Sequence, residues 1–443
     1  MGAVEAPPPA RPAERPPARV AAVDPQLAVQ GHLPQIHWTP PTGSRRPIVA
    51  VLDTGVDARS PDLAGVVMTD AARSFVPGSP DPLRDPAGHG THVAGLIAAD
   101  HDNGIGGAGV ARARILPITI ADAAGNTTTT ALVRGLRYAA ARGARVINIS
   151  FGGAGSSKLE QDAIDDVTRR GALVVAAVGN SGPVGRVEYP AGYRQVLGVG
   201  AVDAADRPLA LSLRGTQVAI AAPGDALLST APPGTPGALP GDLIARTGTS
   251  MAAAVVSGVA ARLLAARPAL SPARLRAVLV GTAVDVPPSG VDVATGAGAV
   301  DLAAALAAPA PPPEDPEPND DPALARRRPA LLGPSRAVRT VRGSTGSNAD
   351  PRDDFRVSLR AGQTLTAVLA GEAGADLDLV AWRPGAPGRR RTPAYARTWL
   401  AAAAVGATAS ERLTFVAAET GAYTIEVSGI RGPSRYTLTV RRS

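Results

Sequence analysis

Three residues far apart in the chain carry side chains that can act together on an acyl group. Asp53 stands in Val51-Leu52-Asp53-Thr54-Gly55, His89 in Gly88-His89-Gly90-Thr91-His92, and Ser250 in Gly248-Thr249-Ser250-Met251-Ala252-Ala253. A carboxylate can hold an imidazole in one tautomer. The imidazole can take the proton of a hydroxyl, and the hydroxyl oxygen can then attack a carbonyl carbon. The chain order Asp, His, Ser, each in its own signature, separates this constellation from serine hydrolases that use another order. A fourth residue, Asn180 in Val178-Gly179-Asn180-Ser181-Gly182, offers a neutral amide able to donate to a developing oxyanion.

Each residue also has a plainer reading. Asp-Thr-Gly after a strand makes a turn or a helix cap, Asn180 a turn residue, and Ser250 an ordinary N-cap. His89 and His92 are three apart and could chelate a metal, but the His-Glu-x-x-His pattern is absent and no nearby Glu supplies a base. The chain has five histidines, His32, His37, His89, His92 and His101. His89 opens its motif and is the candidate base; His92 reads as structural.

These residues need a frame that carries them to one place. Pro47–Leu52, Arg114–Ile120, Ala144–Ser150, Ala172–Val178 and Gln195–Val202 are short runs of Val, Ile, Leu and Ala. They read as strands buried on both faces of a parallel sheet. Helical stretches lie between and after them, at Gly90–Ala99, Thr128–Arg142, Ser157–Arg170 and from Ser250 to about Ala266. Another begins at Ser271-Pro272, an N-cap followed by Pro at the first helical position. The alternation predicts an α/β fold, a doubly wound, mainly parallel sheet. Asp53 then ends a strand, where such sheets gather their functional groups.

The division expected along the chain has four parts. Residues 1–22 are a disordered lead rich in Pro, Ala and Arg. Residues 23–305 form the catalytic domain, opening with an extended lead-in over 23–45. Residues 306–318 are a Pro-rich linker. Residues 319–443 alternate with period two, as in Asp354–Leu359, Gln363–Leu369, Asp376–Trp382, Glu411–Val416, Ala422–Val427 and Ser434–Val440. That pattern predicts a smaller all-β sandwich.

Composition excludes several classes. The chain of 443 residues has no cysteine, so disulfides, thiolate metal sites and a Cys nucleophile are out. Net charge is +7, but the arginines are scattered and Lys158 is the only lysine. With no aromatic–basic interleaving, no nucleic-acid partner is expected. No apolar run of membrane-spanning length is read, so no membrane span is expected.

Residues 23–305 resemble the subtilisin-like serine proteases, the subtilases. The strings that carry the likeness are Val49-Ala50-Val51-Leu52-Asp53-Thr54-Gly55-Val56-Asp57, Gly88-His89-Gly90-Thr91-His92-Val93-Ala94-Gly95, Val146-Ile147-Asn148-Ile149-Ser150-Phe151-Gly152-Gly153, Ala177-Val178-Gly179-Asn180 and Gly248-Thr249-Ser250-Met251-Ala252. The resemblance implies a serine endopeptidase with Asp53, His89 and Ser250 as triad and Asn180 as oxyanion donor. It implies a substrate cleft along Ser150, Phe151, Gly152, Gly153 and Gly179, with Gly125 on the opposite rim. An extended peptide or unfolded protein would be the partner, added as a strand, and the enzyme would act as a monomer. Two departures stand out: Ala254 and Val255 replace the usual Pro and His, and Arg112 replaces a usual Pro. Glu188, in the loop after Asn180, is a carboxylate able to attract a basic substrate side chain.

The chain's end resembles the bacterial pre-peptidase C-terminal domain, through Glu317-Pro318-Asn319-Asp320, Asp353-Asp354-Phe355, Asp376-Leu377-Asp378-Leu379, Gly421-Ala422-Tyr423 and Tyr436–Val440. That likeness implies a secreted, extracellular protein whose export signal is not in this sequence. Both resemblances imply structural calcium, with no cofactor needed for the chemistry. The weak candidate ligands are Asp100, Asp102 and Asn103 in one loop and Asp376 and Asp378 in another. Neither set supplies six to eight oxygens, so backbone carbonyls would have to complete a site.

Overall fold

The computed structural model describes residues 23–309 and 330–443, apart from residues 79, 288–289, 333–336, 346–351, 373–374, 387–397 and 432–433. The expected lead at 1–22 and residues 310–318 of the expected linker lie outside the described residues, while residues 306 and 307 close a helix, Leu302–Ala307, rather than open a linker.

The first unit is built on a seven-stranded parallel sheet. Its strands are β1 (Ile48–Asp53), β2 (Arg73–Ser74), β3 (Arg114–Thr119), β4 (Val146–Ile149), β5 (Leu173–Ala177), β6 (Val196–Val202) and β7 (Ile220–Pro223), in the order β2-β3-β1-β4-β5-β6-β7. The helices are α1 (His32–Gln35), α2 (His89–Ala98), α3 (Thr129–Ala141), α4 (Lys158–Arg169), α5 (Thr249–Ala266), α6 (Pro272–Gly281) and α7 (Leu302–Ala307).

The pleat sorts the strand residues to two cores. Val49 and Val51 of β1 pack with Val175, Leu197 and Val199 against α2 and α5. Ala50 and Leu52 pack with Ile147, Ile149 and Val174 against α3 and α4. Both faces are dry, which explains why these strands read as continuous apolar runs. The expected doubly wound fold is present.

Two expectations need correction. The lead-in over 23–45 is not simply extended: Leu27–Val29 is a 3₁₀ turn and His32–Gln35 a helical turn. And one helix, α5, is long and apolar enough by composition to cross a membrane, though 89% of that stretch is buried inside the protein. It is apolar on all sides because the sheet, α2 and other segments surround it. Its Arg262 is accommodated by donating to the Thr39 carbonyl at 2.6 Å.

A two-stranded hairpin of β8 (Leu227–Thr230) and β9 (Leu243–Arg246) lies beside α2. Among the described residues the second unit has eight antiparallel strands. These are β10 (Val338–Thr345), β11 (Arg352–Leu359), β12 (Thr364–Gly371), β13 (Asp376–Trp382), β14 (Leu400–Ala404), β15 (Ser410–Val416), β16 (Gly421–Arg431) and β17 (Ser434–Arg442). They form two four-stranded sheets, β10-β17-β12-β15 and β11-β16-β13-β14. Phe355, Val357, Leu365, Leu379, Tyr423, Ile425 and Leu438 share one core between them, the arrangement of a β-sandwich.

Candidate active site

Asp53 is the last residue of β1, fully buried, where the sheet order reverses between β3 and β4. Its Oδ1 accepts the Thr54 N–H at 2.8 Å and lies 2.8 Å from His89 Nδ1. His89 opens α2 after Gly88, whose φ of +66° lies in the left-handed region. Gly90 permits the close approach: a Cβ there would sit 2.1 Å from the Gly55 carbonyl oxygen and 2.9 Å from Asp53 Cβ.

The histidine feels opposing influences. Burial pulls its pKa down, but the charge and hydrogen bond of Asp53 outweigh burial and leave it above the ordinary imidazole value. The Arg246 charge works against that rise and Asp85 with it.

Ser250 is the second residue of α5 and is 6% exposed. Its Oγ donates to the Ser150 carbonyl at 3.3 Å, and Ser150 Oγ donates back to the Ser250 carbonyl at 3.4 Å. The His89 ring packs edge-on against Phe151 with centroids 5.6 Å apart. Ser250 and His89 therefore flank the same dipeptide, Ser150-Phe151. Among the described residues no hydrogen bond joins them directly.

Asn180 is exposed, three residues beyond β5. Its Oδ1 accepts both the backbone N–H and the hydroxyl of Thr249, each at 3.0 Å. Among the described residues no acceptor takes its amide nitrogen. Thr249 Oγ1 also accepts the Gly179 N–H at 3.3 Å. The Ser250 N–H belongs to the first turn of α5 and has no intrahelical acceptor.

The other predicted cleft residues fall around this point. Gly152 and Gly153 follow Phe151 and are exposed, and Gly153 pairs with Tyr189 in an isolated antiparallel bridge. A Cβ on Gly125 would meet Phe151 Cε1 at 3.7 Å, so Gly125 faces that ring.

His92 is fully buried. Its Nε2 lies 3.0 Å from both the Leu227 and Ile244 carbonyls, and burial, helped by the Arg246 charge, lowers its pKa to about 3. It holds the β8–β9 hairpin to α2.

Sequence reading missed Asp85. This buried carboxylate accepts the Thr54 hydroxyl at 2.7 Å, the Gly88 N–H at 3.0 Å, and the Thr91 N–H and hydroxyl at 2.8 and 2.7 Å. It ties the end of β1 to the start of α2. Burial first, and then the Asp53 charge, raise its pKa against those hydrogen bonds. The signal available was an Asp three residues before Gly88, in the position of a turn acceptor.

The metal candidates are arranged differently from a side-chain cage. Among the described residues no group of three or more His, Asp or Glu side chains is placed to hold a metal ion. Asp102 turns toward His101, 3.7 Å away, and Asn103 Oδ1 accepts the Ile105 N–H at 2.7 Å. Asp24 collects the N–H groups of Asp102, Asn103 and Gly104, while Asp62 accepts from Asn103 Nδ2 and the Gly107 N–H. Burial, joined by the charges of Asp24 and Asp100, pushes Asp62 up to about 7. A bound cation would relieve that crowding of negative charge. On β13, Asp378 is raised by burial and then by Asp376, Glu411 and Glu426.

The fold and this arrangement describe an α/β protein with a serine at a helix start and a histidine held by a buried carboxylate. The chain belongs to the subtilase family, peptidase S8, a family of serine endopeptidases; the match covers residues 44–298. It is 37% identical to a subtilisin of Bacillus pumilus over 254 residues, 56% of this chain and 88% of that protein. It is 37% identical over 246 residues to a cell wall-associated protease of Bacillus subtilis, of which the match spans 26%. A protease structure from Pseudoalteromonas arctica is 30% identical, superposes with a TM-score of 0.58, and is covered over 99% of its length by 65% of this chain.

Proposed function

We propose that this chain is a serine endopeptidase acting on extended or unfolded protein segments through Asp53, His89 and Ser250, with Asn180 as oxyanion donor. The observation that carries this reading is the 2.8 Å contact between His89 Nδ1 and the buried Asp53 Oδ1, beside the dipeptide that Ser250 also touches. A substrate strand lies along Ser150–Gly153, opposite Gly125. On binding, the Ser250 hydroxyl swings from the Ser150 carbonyl to His89 Nε2.

Oγ then bonds to the carbonyl carbon while its proton passes to Nε2. The carbonyl π pair moves onto oxygen, which takes hydrogen bonds from Asn180 Nδ2 and the Ser250 N–H. A donor of the Asn180 kind is worth about 2.7–4 kcal/mol, a magnitude measured on subtilisin itself. His89 next gives its proton to the leaving amine as the C–N bond breaks, and an acyl-serine remains. Water attacks that ester by the same route and releases the acid and Ser250. Asp53 stays ionised, holding the tautomer and balancing the imidazolium.

The reading extends to the rest of the molecule. The catalytic domain runs from residue 23 through α7, past the expected boundary at 305, since α7 reaches Ala307 and Arg267 donates to the Ala308 carbonyl; the strands from β10 onward form a β module of the pre-peptidase C-terminal kind. The protein works outside the cell as a monomer, in keeping with a relative named a cell wall-associated protease and with a need for neither nucleic acid nor cofactor in the chemistry. A structural calcium ion, held by Asp24, Asp62 and Asn103 with loop carbonyls, supplies rigidity to residues 100–107.

The test is hydrolysis of unfolded casein together with labelling by a fluorophosphonate. Wild type cleaves and labels at Ser250; Ser250→Ala does neither while keeping its circular dichroism. Full activity in that variant would sink the mechanism. A folded wild type that takes no label would mark a binding protein on a protease scaffold.

A further inference from the structure

The residue whose carbonyl is attacked must send its side chain somewhere near Ser250 and Asn180. Two backbone walls bound that space: the segment Ser150–Gly153 on one side, and Ala177–Asn180 on the other. Each wall has a residue without a side chain, Gly152 and Gly179. What lies between them is the carboxyl group of Glu188. A Cβ on Gly152 would be 3.0 Å from Glu188 Oε2, and one on Gly179 would be 2.5 Å from both its Cδ and its Oε2. Glycine at both walls is what admits the carboxylate.

Glu188 is held there by its chain neighbour. Tyr189 and Gly153 exchange backbone hydrogen bonds of 2.8 and 3.0 Å, so residue 188 is pressed against the cleft wall. The carboxylate accepts only the Ser181 hydroxyl, at 3.1 Å, and among the described residues no Arg, Lys or His forms an ion pair with it. It is half-buried. A carboxylate flanked by backbone and lacking a cationic partner is a recognition element in waiting: the missing partner comes with the substrate.

Resting on the protease reading above, we propose that Glu188 is a specificity-determining residue that selects Arg or Lys at the position contributing the scissile carbonyl. A long basic side chain reaches past Gly152 and Gly179 and brings its charged end to the Glu188 carboxylate. Arginine can meet it with two N–H donors. An acidic side chain at the same position meets repulsion.

The experiment compares kcat/KM for peptides that differ only at that position, with Arg, Lys, Leu or Glu, on wild type and on Glu188→Gln. Wild type should favour Arg and Lys over Leu at least about tenfold, and Glu188→Gln should lower the Arg-to-Leu ratio by about tenfold or more. Glu188→Arg should turn the order toward Glu. Fluorophosphonate labelling of each variant reports whether the site is assembled. Labelled enzymes with an unchanged Arg-to-Leu ratio would overturn this inference alone. A wild type that neither labels nor cleaves any peptide would overturn the protease reading and this inference with it.

Discussion

Asn180 and Thr249 are locked together by two hydrogen bonds onto one oxygen, from the backbone N–H and the hydroxyl of Thr249. Because Oδ1 is taken twice, the amide can present only its nitrogen. Its orientation is set before any substrate arrives, which is what preorganised stabilisation requires.

Asn180→Ala should therefore lower kcat by about 10²–10³ with little change in KM. Thr249→Ala removes the hydroxyl anchor of the amide but keeps the backbone N–H, and should cost up to about tenfold in kcat. Steady-state kinetics on one peptide checks both. A larger effect of Thr249→Ala than of Asn180→Ala would reverse the assignment.

The pH profile carries a second prediction. In the proposed reaction His89 must be neutral to act as base. Its pKa lies above the ordinary 6.5 because Asp53 outweighs burial, so kcat/KM should fall as pH drops through a value above 6.5. Arg246, whose Nη2 donates to the Ala87 carbonyl at 3.0 Å, works to lower that value. Arg246→Gln should move the acid limb to higher pH; a shift to lower pH would contradict the electrostatic account.

Acid should weaken the fold through His92. Unfolded, it titrates near 6.5; folded, near 3. Between those values the unfolded chain holds the extra proton, so stability falls as pH is lowered through that window. From pH 7 to 4.5 the loss is about 2–3 kcal/mol. Urea unfolding of the Ser250→Ala protein at the two pH values measures it. In the same background His92→Gln should shrink the difference by about that amount and leave the share of His32, whose pKa burial likewise lowers to about 4.

Calcium should raise the melting temperature of Ser250→Ala protein, and chelator should lower it. Asp62→Asn removes a buried charge from the proposed ligand set and should abolish the calcium response. The amide can still accept one of the two donors that Asp62 holds, the Gly107 N–H or Asn103 Nδ2, so a modest drop in the calcium-free melting temperature should accompany the lost response. An unchanged calcium response in the variant would exclude Asp62 as a ligand.

Much of this molecule is legible from its residues. Strands β1, β3, β4, β5 and β6 are dry on both faces, so their Val-Ile-Leu runs announce them. Strand β2 is two residues long and carries Arg73, too little pattern to notice. Strand β7 reads Ile220-Ala221-Ala222-Pro223, a weak apolar signal ending in a residue that discourages strands. The helical turn at His32–Gln35 contains Pro34, which disguised it. At the site, Asp53, His89, Asn180 and Ser250 each sit in a distinctive local string. Thr249 shares the string of Ser250, and Glu188 is legible as a carboxylate in the loop after Asn180, but what these two and Asp85 touch is not. Their importance lies in partners 69, 36 and 31 positions away: Asn180, Gly152 and Thr54. Periodicity cannot report contacts of that kind.

Helix α5 carries Ser250 in its first turn and continues through the core, with 89% of its length buried. Amide hydrogens along it should exchange with solvent only when the whole domain opens. On the proposed reading, a protease of loosened chains keeps its own nucleophile on a segment expected to loosen last, and attack by neighbouring copies should then fall first on molecules that have already lost activity.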